Sequence, residues 1–191
     1  MNLAAIDGEV MYISSFYSNH QATELLNEFA SYKQYKQREI ILFGKRFKSP
    51  RLEAFFAKNK QSYSYSGNQL ESNSFTPTIE ALCKDIEVFT KTKYNSVLIN
   101  VYRNEKDSNG WHSDDEKELG MDPVIASLSF GETRRIHFKH KTTKAKFFID
   151  LEHGSLLIMK GPVQHYWKHQ IPKSKKVLEK RINLTFRSII K

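Results

Sequence analysis

The sequence predicts an α+β fold with a sandwich or jelly-roll core. Two helical patterns lie in the N-terminal half, six short strand patterns follow Val97, and Gly131, Gly154 and Gly161 fall at turns between some of them. Helices grouped ahead of a run of short strands leave the strands to build the core and the helices to support it. A length of 191 residues fits one domain with enough chain to bury a substantial interior.

Ser18 can cap a helix running to about residue 35, with Leu25, Leu26 and Phe29 on one face. Thr76-Pro77 can start a second, in which Ile79, Leu82, Cys83, Ile86 and Phe89 recur at helical spacing. The strand patterns cover 97–102, 125–130, 135–140, 146–151, 155–159 and 181–189. Residues 103–122 are polar and read as a long loop. There is no internal repeat, low-complexity tract or evident linker.

His112-x-Asp114 sits in that polar stretch, and His169 follows 55 residues after the aspartate. On a strand, residues i and i+2 point the same way, so His112 and Asp114 can reach one metal while Ser113 faces elsewhere. Two imidazoles and a carboxylate leave positions free for a co-substrate and O2, the arrangement of non-haem Fe(II) oxygenases. The alternative is a set of exposed polar turn residues. In Asn100-Val101-Tyr102 the amide and phenol share a face. Period-two alternation also puts Arg181, Asn183, Thr185 and Arg187 on one face of a strand, opposite Ile182, Leu184 and Phe186. Turned inward, two guanidiniums need an anion, and a small dicarboxylate would satisfy them. Turned outward, they make a basic edge strand.

The formal charge of +9 is unevenly placed. Residues 160–191 hold nine Lys/Arg against Glu179, and Lys33, Lys36, Arg38, Lys45, Arg46, Lys48 and Arg51 in 31–51 face only Glu39. Residues 105–122 carry seven acids against Lys106 and Lys117. An acidic pocket between basic flanks suggests a cation inside and a polyanion outside, against the alternative of a solvated lysine-rich face. The single cysteine, Cys83, excludes an internal disulfide framework and any Cys-rich metal site, and reads as core. Nothing approaches the roughly 18 consecutive apolar residues of a membrane helix, and residues 1–10 lack the basic and apolar segments of a signal peptide. The expectation is a soluble intracellular protein.

Asn100-x-Tyr102, His112-x-Asp114, His169 and Arg181-x-Asn183-x-Thr185-x-Arg187 together resemble the AlkB family of Fe(II)/2-oxoglutarate-dependent dioxygenases. The likeness extends to Leu98-Ile99-Asn100, His112-Ser113-Asp114-Asp115-Glu116, Ile125-Ala126-Ser127-Leu128-Ser129-Phe130-Gly131, His153-Gly154-Ser155-Leu156-Leu157 and Asn183-Leu184-Thr185-Phe186-Arg187. It covers most of 97–191, is weaker back to about residue 40, and is greatest toward the subgroup that repairs duplex DNA.

The resemblance implies a double-stranded β-helix (jelly-roll) core at about 96–191, with supporting helices and a nucleotide-recognition lid at about 1–95, in one domain. It implies Fe(II) on His112, Asp114 and His169, the last chosen over His165 for its position before Ile171-Pro172. O2 and 2-oxoglutarate are the implied co-substrates. Arg181 would pair with the distal carboxylate, with hydrogen bonds from Asn100, Tyr102, Asn183 and Thr185. Arg187 would hold the proximal carboxylate and Asp114. The implied reaction removes an N-methyl group from a damaged base, such as N1-methyladenine or N3-methylcytosine, as formaldehyde, with succinate and CO2 as co-products.

The same resemblance makes Phe43-Gly44-Lys45 a wedge and phosphate contact beside an extruded base, with Arg51 following. Tyr63, Tyr65 and Ser66 would line the base pocket, Tyr65 stacking opposite the ring of His112. Asp115 and Glu116 would meet the base edge, and Lys173, Lys175 and Lys176 would grip phosphates. The implied partner is alkylated DNA, duplex by the subgroup's pattern, handled by a monomer. Two departures leave single strands or RNA open: the turn after His140-Lys141 is short, and Tyr65 replaces another aromatic. A basic β-sandwich that binds nucleic acid without catalysis is the non-enzyme alternative.

Overall fold

A computed structural model of the chain describes residues 3, 4, 6–42, 45–58, 63–65 and 68–190, with 40–42, 45, 63–65 and 68–70 described through their backbone. The chain opens with β1 (Glu9–Ile13) and α1 (Asn19–Ala30), then β2 (Glu39–Leu42), β3 (Lys45–Lys48), β4 (Leu52–Ala57), β5 (Tyr63–Tyr65), β6 (Asn68–Leu70) and β7 (Asn73–Ser74). Helix α2 (Pro77–Thr90) precedes β8 (Ser96–Tyr102), β9 (Asn109–His112), β10 (Ile125–Gly131), β11 (Arg134–His140), β12 (Lys146–Leu151) and β13 (Ser155–Lys160). The short helix α3 (Val163–Tyr166), β14 (Trp167–Ile171) and β15 (Arg181–Arg187) complete it.

Helix α1 starts where Ser18 accepts from the Gln21 N–H and Gln21 returns a bond to the Ser18 backbone, a capping box. It ends at Ala30, short of residue 35, because Ser31 and Tyr32 turn back onto Glu28 and Phe29. Helix α2 begins at Thr76-Pro77, with Thr76 accepting from the Ile79 N–H. Ile79, Leu82, Cys83 and Ile86 are buried as the spacing predicts, but Phe89 is exposed and meets the edge of Phe16.

The strands form a seven-stranded sheet, ordered β1-β13-β10-β15-β8-β4-β7, and a four-stranded sheet, ordered β12-β11-β14-β9. Pairing is antiparallel except between β4 and β7. Two hairpins, β2-β3 and β5-β6, stand apart from both sheets. The larger sheet is covered on both faces. Val97, Ile99, Val101, Leu128, Phe130, Ile182, Leu184 and Phe186 pack against Phe29, Ile79, Leu82 and Ile86 of the helices. The opposite face sends Leu98, Tyr102 and Leu157 toward Phe138, Ile149, Trp167 and Ile171 of the smaller sheet. Burial on both faces explains why β8 and β13 read as near-continuous apolar runs rather than alternating ones. It also places Asn100, Arg181, Asn183, Thr185 and Arg187, all buried, in the space between the sheets.

Strands β1, β4, β9 and β14 were not among the sequence patterns, and β1, β4 and β7 bring the N-terminal half into the larger sheet. Strand β9 lies within the stretch expected to be loop. Among the described residues no helix is long and apolar enough to cross a membrane.

Gly131 closes β10 at φ +90, where a Cβ would fall on the Lys180 carbonyl oxygen, inside van der Waals contact. Gly131→Ala is expected to cost at least about 2 kcal/mol in denaturant unfolding, since strain and crowding add. Glu87, at the end of α2, accepts from Lys93 (2.7 Å), the Tyr94 N–H (3.0 Å) and Lys58 (3.3 Å). Burial pushes its carboxyl up, but these donors outweigh it and hold it at about 2, against 4.5 normally. A depressed carboxyl stabilises the fold above its unfolded value and loses that contribution as pH falls toward the folded one. Thermal unfolding should therefore show stability falling between about pH 4.5 and pH 2, and Glu87→Gln should flatten that limb.

Candidate active site

His112 ends β9 and His169 lies on the neighbouring β14, directly opposite it in register. Their rings are 4.2 Å apart, and Asp114 follows two residues beyond the end of β9, with Oδ1 3.9 Å from His112 Nε2. Ligand atoms of His112, Asp114 and His169 all lie within 4.8 Å of one another. The Asp114 loop is pinned by its N–H donating to Gln164 (2.9 Å) and by Ser113 donating to the Trp167 carbonyl (2.9 Å).

The donor chemistry suits a divalent cation. His112 Nδ1 faces the Gly110 carbonyl at 2.8 Å; a carbonyl only accepts, so that nitrogen carries the proton and Nε2 keeps its lone pair. Burial lowers both histidines, His169 to about 3, so both rings are neutral at pH 7. Burial pushes Asp114 up, but Arg187, with the two imidazoles, outweighs this and leaves it ionised, at about 2. Metal ligands must be deprotonated, and these are. Among the described residues, buried Asp114 Oδ1 and His169 Nδ1 have no hydrogen-bond partner, a cost that a bound cation would remove.

A cavity joins this triad to the polar face of β15. Asn100, Tyr102, Ser127, Arg181, Asn183, Thr185 and Arg187 line it, with Leu157, Met159, Ile136, Leu151 and Ile171 as apolar walls. Asn183 donates to Ser127 and to the Leu128 carbonyl (2.7 Å each), and Thr185 donates to Asn183 (3.1 Å). Arg187 pairs with Asp114 at 3.0 Å. Arg181 lies 5.1 Å from the Tyr102 ring and donates to Ser129 at 2.9 Å. Its Nε and Nη1 are buried without a hydrogen-bond partner, and no carboxylate among the described residues pairs with it. Burial pulls Arg181 down to about 10, still protonated at neutral pH. One end of the cavity thus calls for a cation and the other for an anion.

Residues 9–187 match the family model of the 2OG-Fe(II) oxygenase superfamily. This chain belongs to that superfamily. Within it the chain is of the AlkB family: it is 40% identical over 179 residues to human alpha-ketoglutarate-dependent dioxygenase alkB homolog 3, covering 88% of this chain and 62% of the relative. It is 38% identical over 159 residues to the Bos taurus DNA oxidative demethylase ALKBH2, covering 79% of this chain and 57% of the relative. The chain thus spans about three-fifths of these relatives' lengths, and the likeness is shared between the two groups. The solved structure of OsALKBH1 superposes with a TM-score of 0.65 at 14% identity, covering 94% of this chain and 97% of that one, which speaks for the jelly-roll fold. Fe(II) and 2-oxoglutarate are the cofactor and co-substrate of the superfamily, used with O2.

In this AlkB-family chain the triad, Asn100, Tyr102 and the β15 residues Arg181, Asn183, Thr185 and Arg187 line one cavity. Arg51 does not fit its expected role at the nucleic acid. It is buried, donating to Asn100 (2.9 Å), Asn109 (3.0 Å) and the Ser108 carbonyl and pairing with Glu53, so it braces the site wall instead. Asp115 is exposed beside Lys141 (3.5 Å), and Glu116 lies just ahead of a 3-10 turn at Lys117–Leu119. Lys173, Lys175 and Lys176 are exposed between β14 and β15. Lys45 is in β3, and Tyr63 and Tyr65 are in β5; Phe43, Gly44 and Ser66 lie outside the described residues. Sequence reasoning missed Ser127 and Ser129, although two serines at period two inside the apolar run of β10 were a signal for a polar inner face. It also missed Asn109, 3.3 Å from His112 Nε2, and Gln164, for which no pattern existed.

Proposed function

We propose that this chain is an Fe(II)- and 2-oxoglutarate-dependent dioxygenase that removes N-linked alkyl groups from nucleic-acid bases, with alkylated DNA as substrate. The observation that carries the reading is the facing, across one cavity, of a two-histidine, one-carboxylate donor set and a buried Arg181 that has no carboxylate partner among the described residues. The printed description of ALKBH2 as a DNA oxidative demethylase supports the substrate class, as do the basic segments.

In this reading His112, Asp114 and His169 hold iron, which with 2-oxoglutarate and O2 supplies the oxidising chemistry. Arg181 takes the distal carboxylate of the co-substrate as a forked, charge-assisted pair. Asn100, Tyr102, Asn183 and Thr185 orient it, and Arg187 fixes Asp114. The apolar walls exclude water from the reacting carbon. Asp115 and Glu116 stand beyond the triad, where carboxylates favour the positive charge of an N-alkylated base. Phe43, Gly44, Lys45, Tyr63, Tyr65 and Ser66 handle the base, and Lys173, Lys175 and Lys176 grip phosphates.

Mass spectrometry of N1-methyladenine and N3-methylcytosine oligonucleotides, incubated with Fe(II) and 2-oxoglutarate, tests this. The expected result is loss of one methylene per lesion together with formaldehyde. Duplex DNA, single-stranded DNA and RNA arms give the strand preference. Unchanged mass in every arm with iron-loaded protein would overturn the proposal.

A further inference from the structure

The outer face of the smaller sheet has no part in the cavity, and its composition is unusual. Lys139 on β11 is directly opposite Lys146 on β12 and directly opposite Lys168 on β14. Three adjacent strands thus present a lysine at one register row, all exposed. Like charges directly opposite one another destabilise a sheet, and among the described residues none of the three has an acidic partner. The acids of this face are already engaged: Asp150 by both ends of the Arg135 fork (2.7 and 2.8 Å) and Asp115 by Lys141 (3.5 Å). Beside the row, Trp111 on β9 is 42% exposed. With Lys139, Lys141 and Lys168 it lines a shallow groove.

The position of the groove connects it to the site. β9 is the edge strand of its sheet, with His112 turned inward and Trp111 outward. Of the triad, His112 is the member whose side chain is partly exposed, 23% against 2% for Asp114, so the cavity opens beside this edge. A strand leaving the opening and rounding β9 arrives on Trp111.

We propose that Trp111 with Lys139, Lys146 and Lys168 is an accessory site for single-stranded nucleic acid flanking the target base. The indole stacks on one base and the lysines take successive phosphates. An exposed aromatic set among cations is the sequence-tolerant way to hold a single strand, and a lone row of lysines gains from phosphates what it loses to self-repulsion. The proposal rests on the nucleic-acid reading of the active site.

The chain has two tryptophans, and Trp167 is buried at 1% exposure, so fluorescence quenching reports on Trp111. Unmodified oligothymidylate of about 15 nucleotides is expected to quench the wild-type protein. Trp111→Ala should lose the signal and weaken binding, followed by oligonucleotide anisotropy, roughly tenfold. The K139A/K146A/K168A variant should lower the slope of log affinity against log salt by about 2, near 0.7 per phosphate contact on a single strand. On long methylated oligonucleotides both variants should raise KM and leave kcat unchanged, with no change on a methylated trinucleotide. Binding that is unaltered in affinity and salt slope in both variants would overturn the site. So would polyglutamate competing as well as oligothymidylate at equal charge, which would assign the face to acidic proteins. Quenching and salt slope read without turnover, so failure of the demethylation assay alone would count against the active-site reading and leave this site standing.

Discussion

Asp114→Ala is expected to abolish iron binding and to destabilise the protein, two losses with separate causes. The carboxylate is the only anionic donor of the triad, and without it two neutral imidazoles must balance a dication. Partners one step removed from a metal already cost up to about 100-fold, so loss of a ligand should cost more than that in affinity and turnover. Asp114 also neutralises Arg187 at 3.0 Å, with both side chains almost wholly buried. Removing one partner of such a pair typically costs about 3–5 kcal/mol, or a fall in Tm of roughly 10 °C at this size. Asp114→Asn separates the effects, because an amide oxygen still accepts from Arg187. It should recover part of the Tm and none of the iron. Calorimetric titration with Mn(II), inert to O2 here, and thermal unfolding read the two quantities. Wild-type metal affinity in Asp114→Ala would remove the triad from the mechanism.

How far the sequence discloses this site depends on the kind of constraint. The β15 pattern was legible because alternation on a strand buried on both faces must put Arg181, Asn183, Thr185 and Arg187 on one side and Ile182, Leu184 and Phe186 on the other. Which side faced inward was not legible, since a basic edge strand gives the same pattern; β15 is central in its sheet, between β10 and β8. The pairing of His112 with His169 is a long-range register, and no local periodicity records it. β9 escaped for a related reason: Asn109-Gly110-Trp111-His112 has poor strand propensity and is a strand because β14 pairs with it. Arg51 shows the opposite failure. Its position in a basic run suggested surface, yet the buried Glu53 and two asparagine carbonyls drew it inside. Charge along a sequence locates polyanion surfaces only on average, and one buried carboxylate nearby reverses the reading for its neighbour.

Arg181→Met is expected to abolish productive 2-oxoglutarate binding while leaving the free protein as stable as before or more so. Here the energetics run opposite to Asp114. Arg181 is 1% exposed, donates to Ser129, lies over the Tyr102 ring and has no carboxylate partner among the described residues. A buried guanidinium so poorly paired costs the fold, and replacing such a charge by an apolar side chain of similar volume is often neutral or stabilising. The fold retains that cost at the far end of the cavity from the triad, where a dicarboxylate that also reaches the metal would place its second charge. Truncating one partner of a buried charge pair costs about 2–5 kcal/mol, so affinity for 2-oxoglutarate should fall roughly 30- to 4,000-fold. Mn(II) affinity should not change, because Arg181 does not touch the triad. Arg181→Lys should fall between, keeping the charge and losing the fork. Calorimetry with 2-oxoglutarate on Mn(II)-loaded protein measures the affinity, and thermal scans with and without the co-substrate measure the stability. Wild-type 2-oxoglutarate affinity in Arg181→Met would move the carboxylate site elsewhere in the cavity. A fall in the Tm of the free protein as large as that of Asp114→Ala would mean that Arg181 is held by the fold for its own packing rather than kept in readiness for an anion.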